Sequence, residues 1–303
     1  MRRGALTIPG MNAELCQLLD QQGGVVTSAQ ALNFLTRRDL EMDLKCGVLE
    51  KVWYGIYGRG ELTDALRLRG LDLATGTTIA VCLCTAAAMH AFDTELDTYL
   101  HVLNPDGQQL RPARGLVVHR REGAPLTVVA GRPTTSPAWT AIEVARSLRR
   151  PRALATLDAA LRSGTCGRDE LRRVLKQHAG RRGVVAAREL LESASPLAES
   201  PMESEARLVM IDGGLPPPML QYEIVDRNGE KWRLDFAWPE LRVAAEYDGV
   251  DWHSGPEAFF RDRKRSAALQ DLGWAVVPIV AEDVRNRPVE LVRRIERRLN
   301  RAA

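Results

Sequence analysis

The stretch "RLDFAWPELRVAAEYDGVDWH", residues 233 to 253, decides how the last third of the chain is read. Two apolar runs in it look like neighbouring strands of one sheet, yet they carry Asp235, Glu246 and Asp248. Acidic side chains are rarely buried without a partner or a metal, because taking a carboxylate out of water is costly. Side chains alternate along a strand, so Glu246 and Asp248 are expected on one face with Tyr247 on the other. An antiparallel neighbour would bring Asp235 beside Glu246. Three carboxylates within reach of one another repel unless a cation sits between them, and an all-oxygen set suits Mg²⁺ or Mn²⁺.

Outward from this stretch, "PMESEARLVMIDGG" reads as a helix with Met202 or Glu203 in its first turn and a stop at Gly213 and Gly214. "MLQYEIVD" and "KWRLDFAWP" flank the turn "RNGE" as a hairpin, "RVAAEYDGV" is a third strand, and "WAVVPIVAEDV" is a fourth. The helical run "EAFFRDRKRSAALQDLG" separates the last two. The order describes a small mixed sheet with helices on its faces.

Through "SPMES", "RLDFAWP", "EYDG", "DWH" and "RDRKR…L…GW", in that order, residues 200 to 300 resemble the PD-(D/E)XK nuclease superfamily, in the branch similar to very-short-patch-repair endonucleases. The resemblance implies a restriction-endonuclease-like α/β domain with a central mixed sheet. It implies a divalent metal, Mg²⁺ or Mn²⁺, held by Glu203, Asp235 and Glu246, with Glu205 the near alternative to Glu203. Two residues after Glu246 the superfamily usually has Lys, and here stands Asp248. A Lys there would orient the attacking water and offset charge on the phosphate. His253, Arg263 and Lys264 are the cations expected to take over that task. His253 would act as general base or phosphate contact, and Asp248 would hold the metal through water or orient His253. The reaction implied is metal-assisted hydrolysis of a phosphodiester, leaving a 5′-phosphate and a 3′-hydroxyl. The bland alternatives are ion pairs of Asp235 and Glu246 with Arg233, Arg242 or Arg263, a turn role for Asp248 before Gly249, and a solvated Lys264.

At the other end, "MNAELCQLLDQQ" has helical spacing and stops at Gly23 and Gly24, "TSAQALNFL" begins at an N-cap of Thr27 or Ser28, and Thr36 caps "RRDLEMDLKCG". "VLEKVWYGIYGRG" alternates and is broken by Gly55 and Gly58, as a hairpin would be. Three short helices followed by a hairpin make a winged helix. With "GVVT" and "GVLEKVWYGIY", residues 11 to 60 resemble the N-terminal winged-helix domain of AbiEi-type antitoxins. That resemblance implies DNA binding through Arg37, Arg38 and Lys45 on the third helix, with Lys51 and Arg59 on the wing. Residues 65 to 145 resemble the middle region of the same group more weakly, with "TAAAMHAF" helical, "TYLHVLN" and "GLVVHRR" strands, and "RPTTSP" a turn.

The fold class expected is α+β multidomain: a winged helix over residues 1–62, a mixed α/β and basic helical middle region over 63–192, and the nuclease-like domain over 200–303, after the linker "SASPLAESP". Residues 146 to 188 hold twelve Lys and Arg against three acids in a chain of net charge only +3, which is either a solvated helical face or a phosphate-contacting surface. Five cysteines without a C-x-x-C pair suggest buried thiols, and His90, His101 and His119 have no spacing that marks a metal site. No apolar run is long enough to span a bilayer and the start lacks a secretory pattern, so a cytoplasmic protein is expected. DNA is the expected partner and a membrane is not; a homodimer is left open. The function expected is a metal-dependent DNA endonuclease. Its rival is a DNA-binding regulator or antitoxin with a degenerate nuclease-like domain and a toxin-like partner.

Overall fold

The computed structural model describes residues 12–92, 97–121, 123–249 and 256–302. The chain divides into two compact units, the first within Met1–Ala86 and Asp97–Thr135, the second within Ala87–Leu96 and Ser136–Ala303. No helix among the described residues is long and apolar enough to cross a membrane.

In the first unit, α1 (Ala13–Gln21), β1 (Val25–Thr27), α2 (Ser28–Ala31) and α3 (Arg37–Lys45) lead into the hairpin β2 (Glu50–Trp53) and β3 (Ile56–Gly58). Thr27 and Thr36 each open a helix through a reciprocal capping box, with Gln30 and Asp39 reaching back. "GVVT" does more than end a helix: β1 pairs antiparallel with β3, giving a three-stranded sheet in the order β1-β3-β2. Leu15, Leu19, Val26, Ala31, Leu40 and Leu49 form the core beneath it. α4 (Asp64–Thr75), capped by Thr63, packs Leu66 and Leu73 on the cluster of Val25, Val52 and Ile56.

Beyond α4 come α5 (Leu83–Met89), the parallel pair β4 (Leu100–Leu103) and β5 (Leu116–His119), and the antiparallel pair β6 (Leu126–Val129) and β7 (Arg132–Thr135). Val81 bridges to Val102 of β4 and to Thr134 of β7, joining the two pairs. "RPTTSP" is therefore not a turn: its first four residues are β7, because the Val81 amide donates to the Pro133 carbonyl and the Thr135 amide donates back to Val81.

The second unit begins with four helices, α6 (Pro137–Ala145), α7 (Arg150–Arg162), α8 (Arg168–Gln177) and α9 (Val184–Ser193), followed by α10 (Pro201–Asp212). Then come β8 (Met219–Val225), β9 (Lys231–Trp238), β10 (Val243–Tyr247), α11 (Pro256–Asp271), β11 (Ala275–Ile279), α12 (Ala281–Arg285) and α13 (Pro288–Ala302). The sheet order is β11-β10-β9-β8, antiparallel except for the parallel pair β10–β11. A parallel neighbour needs a crossover, which α11 supplies. Phe236, Trp238, Val243 and Ala245 pack one sheet face on Met210 of α10 and on Leu291 and Ile295 of α13. Trp232, Leu234 and Ala244 pack the other face on Leu269 of α11.

The segment read as a linker is tied down within this unit. Ala194 and Ala198 are buried, and the Ser195 amide donates to Asp158 Oδ1 at 2.7 Å. Asp158, on α7, is fully buried and receives Arg207 of α10 at 2.5 Å, while Arg152 reaches Glu205 at 3.1 Å. Removing one member of a buried pair strands the other charge, at a cost of about 3–5 kcal/mol. Asp158→Ala should lower the unfolding free energy of the full chain by about that amount in urea titration; a loss below about 1 kcal/mol would show that α7 and α10 do not depend on the pair.

Candidate functional site

Register brings the sheet acids together. Ala245 faces Phe236, so the next rung sets Glu246 opposite Asp235. Leu220 faces Phe236 and Tyr222 faces Leu234, which sets Gln221 of β8 opposite Asp235 on the other side. Gln221, Asp235 and Glu246 thus form one row across three strands. Leu234 and Phe236 belong to cores on opposite faces, although residues two apart in a regular strand share a face. β9 therefore turns over at Asp235, opposite Gln221, whose φ of 50° lies in the left-handed region.

Glu203 joins the row from the first turn of α10, where Ser200 caps its amide at 3.1 Å. Its Oε2 accepts from the Glu199 amide and from Gln221 Nε2, both at 2.9 Å. Asp235 Oδ2 accepts from the Tyr247 amide at 2.9 Å. Glu205, the near alternative, is committed elsewhere, to Arg152 and Arg285. Burial pushes Glu203, Asp235 and Glu246 above the usual carboxyl range. At Glu203 the Glu199 amide opposes this and the Asp235 charge adds to it. At Asp235 the Tyr247 amide, Arg265 and Gln221 oppose it. At Glu246 Arg265 opposes it while Asp235 and Asp248 add to it.

Among the described residues, the cation that faces the acids is neither Arg263 nor Lys264. Arg265 of α11 grips Glu246 with both ends of its guanidinium, Nη1 to Oε2 at 2.6 Å and Nη2 to Oε1, and also donates to the Arg233 carbonyl at 2.8 Å. Lys264 instead pairs with Glu230, on the surface. Arg263 is exposed on α11, and His253 lies outside the described residues. Asp248 is exposed, with its amide donating to the Ile279 carbonyl at 2.8 Å. Of the row only Glu246 lines a cleft of about 540 Å³, together with Asp248, Asp262, Arg265 and Trp274.

Three carboxylates and an amide oxygen are the right chemistry for a hard divalent cation. Gln221 Oε1 is buried and has no hydrogen-bond donor among the described residues. Glu203, Asp235 and Glu246 do not, however, bring one oxygen each within 4.8 Å of one another, and both oxygens of Glu246 are held by Arg265. The residues fit such an ion in kind, with Glu246 available to it only in exchange for Arg265. Gln221 and Arg265 were not legible as site residues from the acid pattern.

On the first unit, Arg37, Arg38 and Lys45 are exposed along α3, and Asp39 is spent on the Thr36 cap. Lys51 lies over the ring of Tyr54, 5.8 Å from its centroid. Tyr54, at the hairpin tip before Gly55, is 95% exposed. Arg59 is tied to Asp20 and offers less to an outside phosphate than expected. The basic run 146 to 188 is largely turned inward or paired: Arg146 and Arg181 meet Glu143, Arg150 meets Asp212, Arg172 meets Glu192, and Arg162 and Arg168 donate to backbone carbonyls.

Residues 79–193 match the family model described as the AbiEi antitoxin C-terminal domain. The match overlaps residues 65 to 145, where the weaker resemblance to that group was drawn, and continues through the basic helices to 193; it does not reach residues 11 to 60. Two proteins from strains of Mycobacterium tuberculosis, described as uncharacterized proteins MT2308 and Rv2248, are each 56% identical over 268 residues, covering 88% of this chain and 98% of their own length.

A carboxyl with a raised folded pKa adds stability below its unfolded pKa and loses it as pH rises through the folded value, so these buried acids cost stability at neutral pH. Asp235→Asn should stabilise the fold by about 1 kcal/mol at pH 7. The gain should fade as pH falls through the raised range in which the native carboxyl takes up its proton. Urea denaturation across that range measures it; a loss at neutral pH would show that Tyr247, Arg265 and Gln221 fully compensate the anion.

Proposed function

We propose, for a chain that belongs to the family of these two mycobacterial proteins, a divalent-metal-dependent DNA endonuclease recruited to duplex DNA by a winged helix. The observation that carries this reading is the row of Gln221, Asp235 and Glu246 on three adjacent strands, with Glu203 joining it and all three acids raised by burial. Ionisable groups perturbed in this way beside a cleft are candidates for chemistry. The order of α10, an antiparallel meander, a crossover helix and a parallel fourth strand supports a restriction-endonuclease-like domain. The winged-helix reading is supported by three helices, a three-stranded sheet and an exposed hairpin tip.

Glu203 and Asp235, with Glu246 once Arg265 lets go, are the residues that would hold Mg²⁺ or Mn²⁺. The ion when bound supplies Lewis acidity and a more acidic water. Arg265 takes the place of the Lys that Asp248 displaces: its fork suits a phosphate as well as a carboxylate, so it neutralises Glu246 at rest and the scissile phosphate when DNA is present. Gln221 holds Glu203 through its amide nitrogen and offers its buried oxygen to the site. Water adds to phosphorus and gives up a proton to solvent, the P–O3′ bond breaks, and the leaving O3′ takes a proton from solvent, leaving a 5′-phosphate and a 3′-hydroxyl.

A second reading is favoured by a separate observation. The antitoxin family match at 79–193, together with the hold of Arg265 on Glu246, supports a DNA-binding regulator whose second unit no longer cuts and which answers to a toxin-like partner.

Purified full-length protein on supercoiled, linear and single-stranded DNA, with Mg²⁺, Mn²⁺ or EDTA, separates the two. The nuclease reading expects metal-dependent cutting that Asp235→Asn abolishes and Arg265→Ala lowers by about 100-fold or more, with Arg265→Lys partly restoring it. Undiminished cutting by Asp235→Asn sinks the nuclease site, and absent cutting with operator-selective binding favours the regulator. For DNA binding, Arg37→Ala and Arg38→Ala should each lower the slope of log affinity against log salt by about 0.9. Arg59→Ala, already paired with Asp20, should leave it nearly unchanged.

A further inference from the structure

We propose that Cys84, Asp97 and His101 of the first unit form a zinc-binding site, with His119 fixing the orientation of His101. One ligand atom from each of the three lies within 4.8 Å of the other two, the single group of its kind among the described residues. Tetrahedral zinc with bonds of about 2.0–2.3 Å sets its ligand atoms roughly 3.3–3.8 Å apart, so no pair of the set has to close by more than about 1.5 Å. A thiolate, an imidazole and a carboxylate are the donors zinc takes, and the thiolate sets this group apart from the all-oxygen cluster of the second unit.

The backbone dictates the meeting. The Cys82 amide donates to the His101 carbonyl at 3.0 Å, and Thr85 Oγ accepts from the His101 amide at 2.8 Å. These bonds on either side of Cys84 pin the start of α5 to β4. Asp97 is four residues before His101 and turns back toward it, with Oδ1 receiving the Tyr99 amide at 2.8 Å and Oδ2 lying 2.7 Å from His101 Nε2. The parallel pairing of β4 with β5 brings His119 alongside, so that its Nε2 is 2.9 Å from His101 Nδ1, with the rings stacked at 5.1 Å. A metal-bound imidazole usually donates its second N–H to an acceptor, and with Nε2 on the metal His101 would donate from Nδ1 to His119 Nε2. Cys84 and His101 are half-buried and Asp97 is exposed, so an ion can enter and a water can complete the fourth position.

The site owes nothing to the nuclease reading and stands or falls separately. Untagged full-length protein freed of metal would be titrated with Co²⁺ and with Zn²⁺. The expected result is one ion per chain that carries a thiolate-to-cobalt charge-transfer band and is displaced by Zn²⁺, any further cobalt on the carboxylate row adding no such band. Cys84→Ser should abolish the band, Cys46→Ser should leave it intact, and His119→Ala should weaken affinity by about 10–100-fold. Should Cys84→Ser fail to fold, alkylation of the wild-type chain read by mass spectrometry replaces it: Zn²⁺ should protect Cys84 and not the exposed Cys46. Cobalt bound without the band, or Cys84 alkylated equally with and without Zn²⁺, overturns the site.

Discussion

The second unit is organised around a charge it cannot leave alone. Asp235 and Glu246 face one another on central strands of a sheet covered on both faces, and each is pushed toward its neutral form by burial. Arg265 meets that demand from the crossover helix, whose own placement follows from the need to bring β11 parallel to β10. The helix that makes the topology feasible is thus the one that delivers the compensating cation. Glu203 reaches the same row because α10 is held from behind, by Arg207 on Asp158 and by Arg152 on Glu205.

Charge counts along the chain are a poor guide to charged surface. Residues 146 to 188 look like a nucleic-acid footprint, but Glu143 sits in the middle of the helices at 2% exposure and takes Arg146, Arg181 and His178. Arginines that end on buried acids or on carbonyls hold helices together and have their donors occupied within the fold. On the first unit fewer charges do more: Arg37 and Arg38 are exposed at the start of α3 with an exposed aromatic at the hairpin tip nearby in sequence.

What was legible in the sequence was local or periodic. The Thr27 and Thr36 caps, the "RNGE" hairpin and the alternation that sets Glu246 apart from Tyr247 depend on residues a few positions away, and the structure has them where the pattern put them. Other features depend on partners far along the chain. β7 exists because residue 81 inserts between two strand pairs. Arg265 rather than Lys264 faces Glu246 because a helix shows each residue to a different side, and the acid cluster does not say which. Likewise His101 and His119 are eighteen residues apart and meet only through a parallel pairing that no turn announces.

Gln221 shows what such a row asks of the backbone. A side chain with a Cβ in the left-handed region costs on the order of 1 kcal/mol, and glycine would sit there with ease. Glycine would also leave Glu203 Oε2 with one donor fewer and remove an oxygen from the acid row. The local conformation favours one residue type and the carboxylates beside it another. Position 221 is therefore where the ease of the backbone and the hydrogen-bonding demand of the row pull in opposite directions, and the amide side chain marks which of them prevailed.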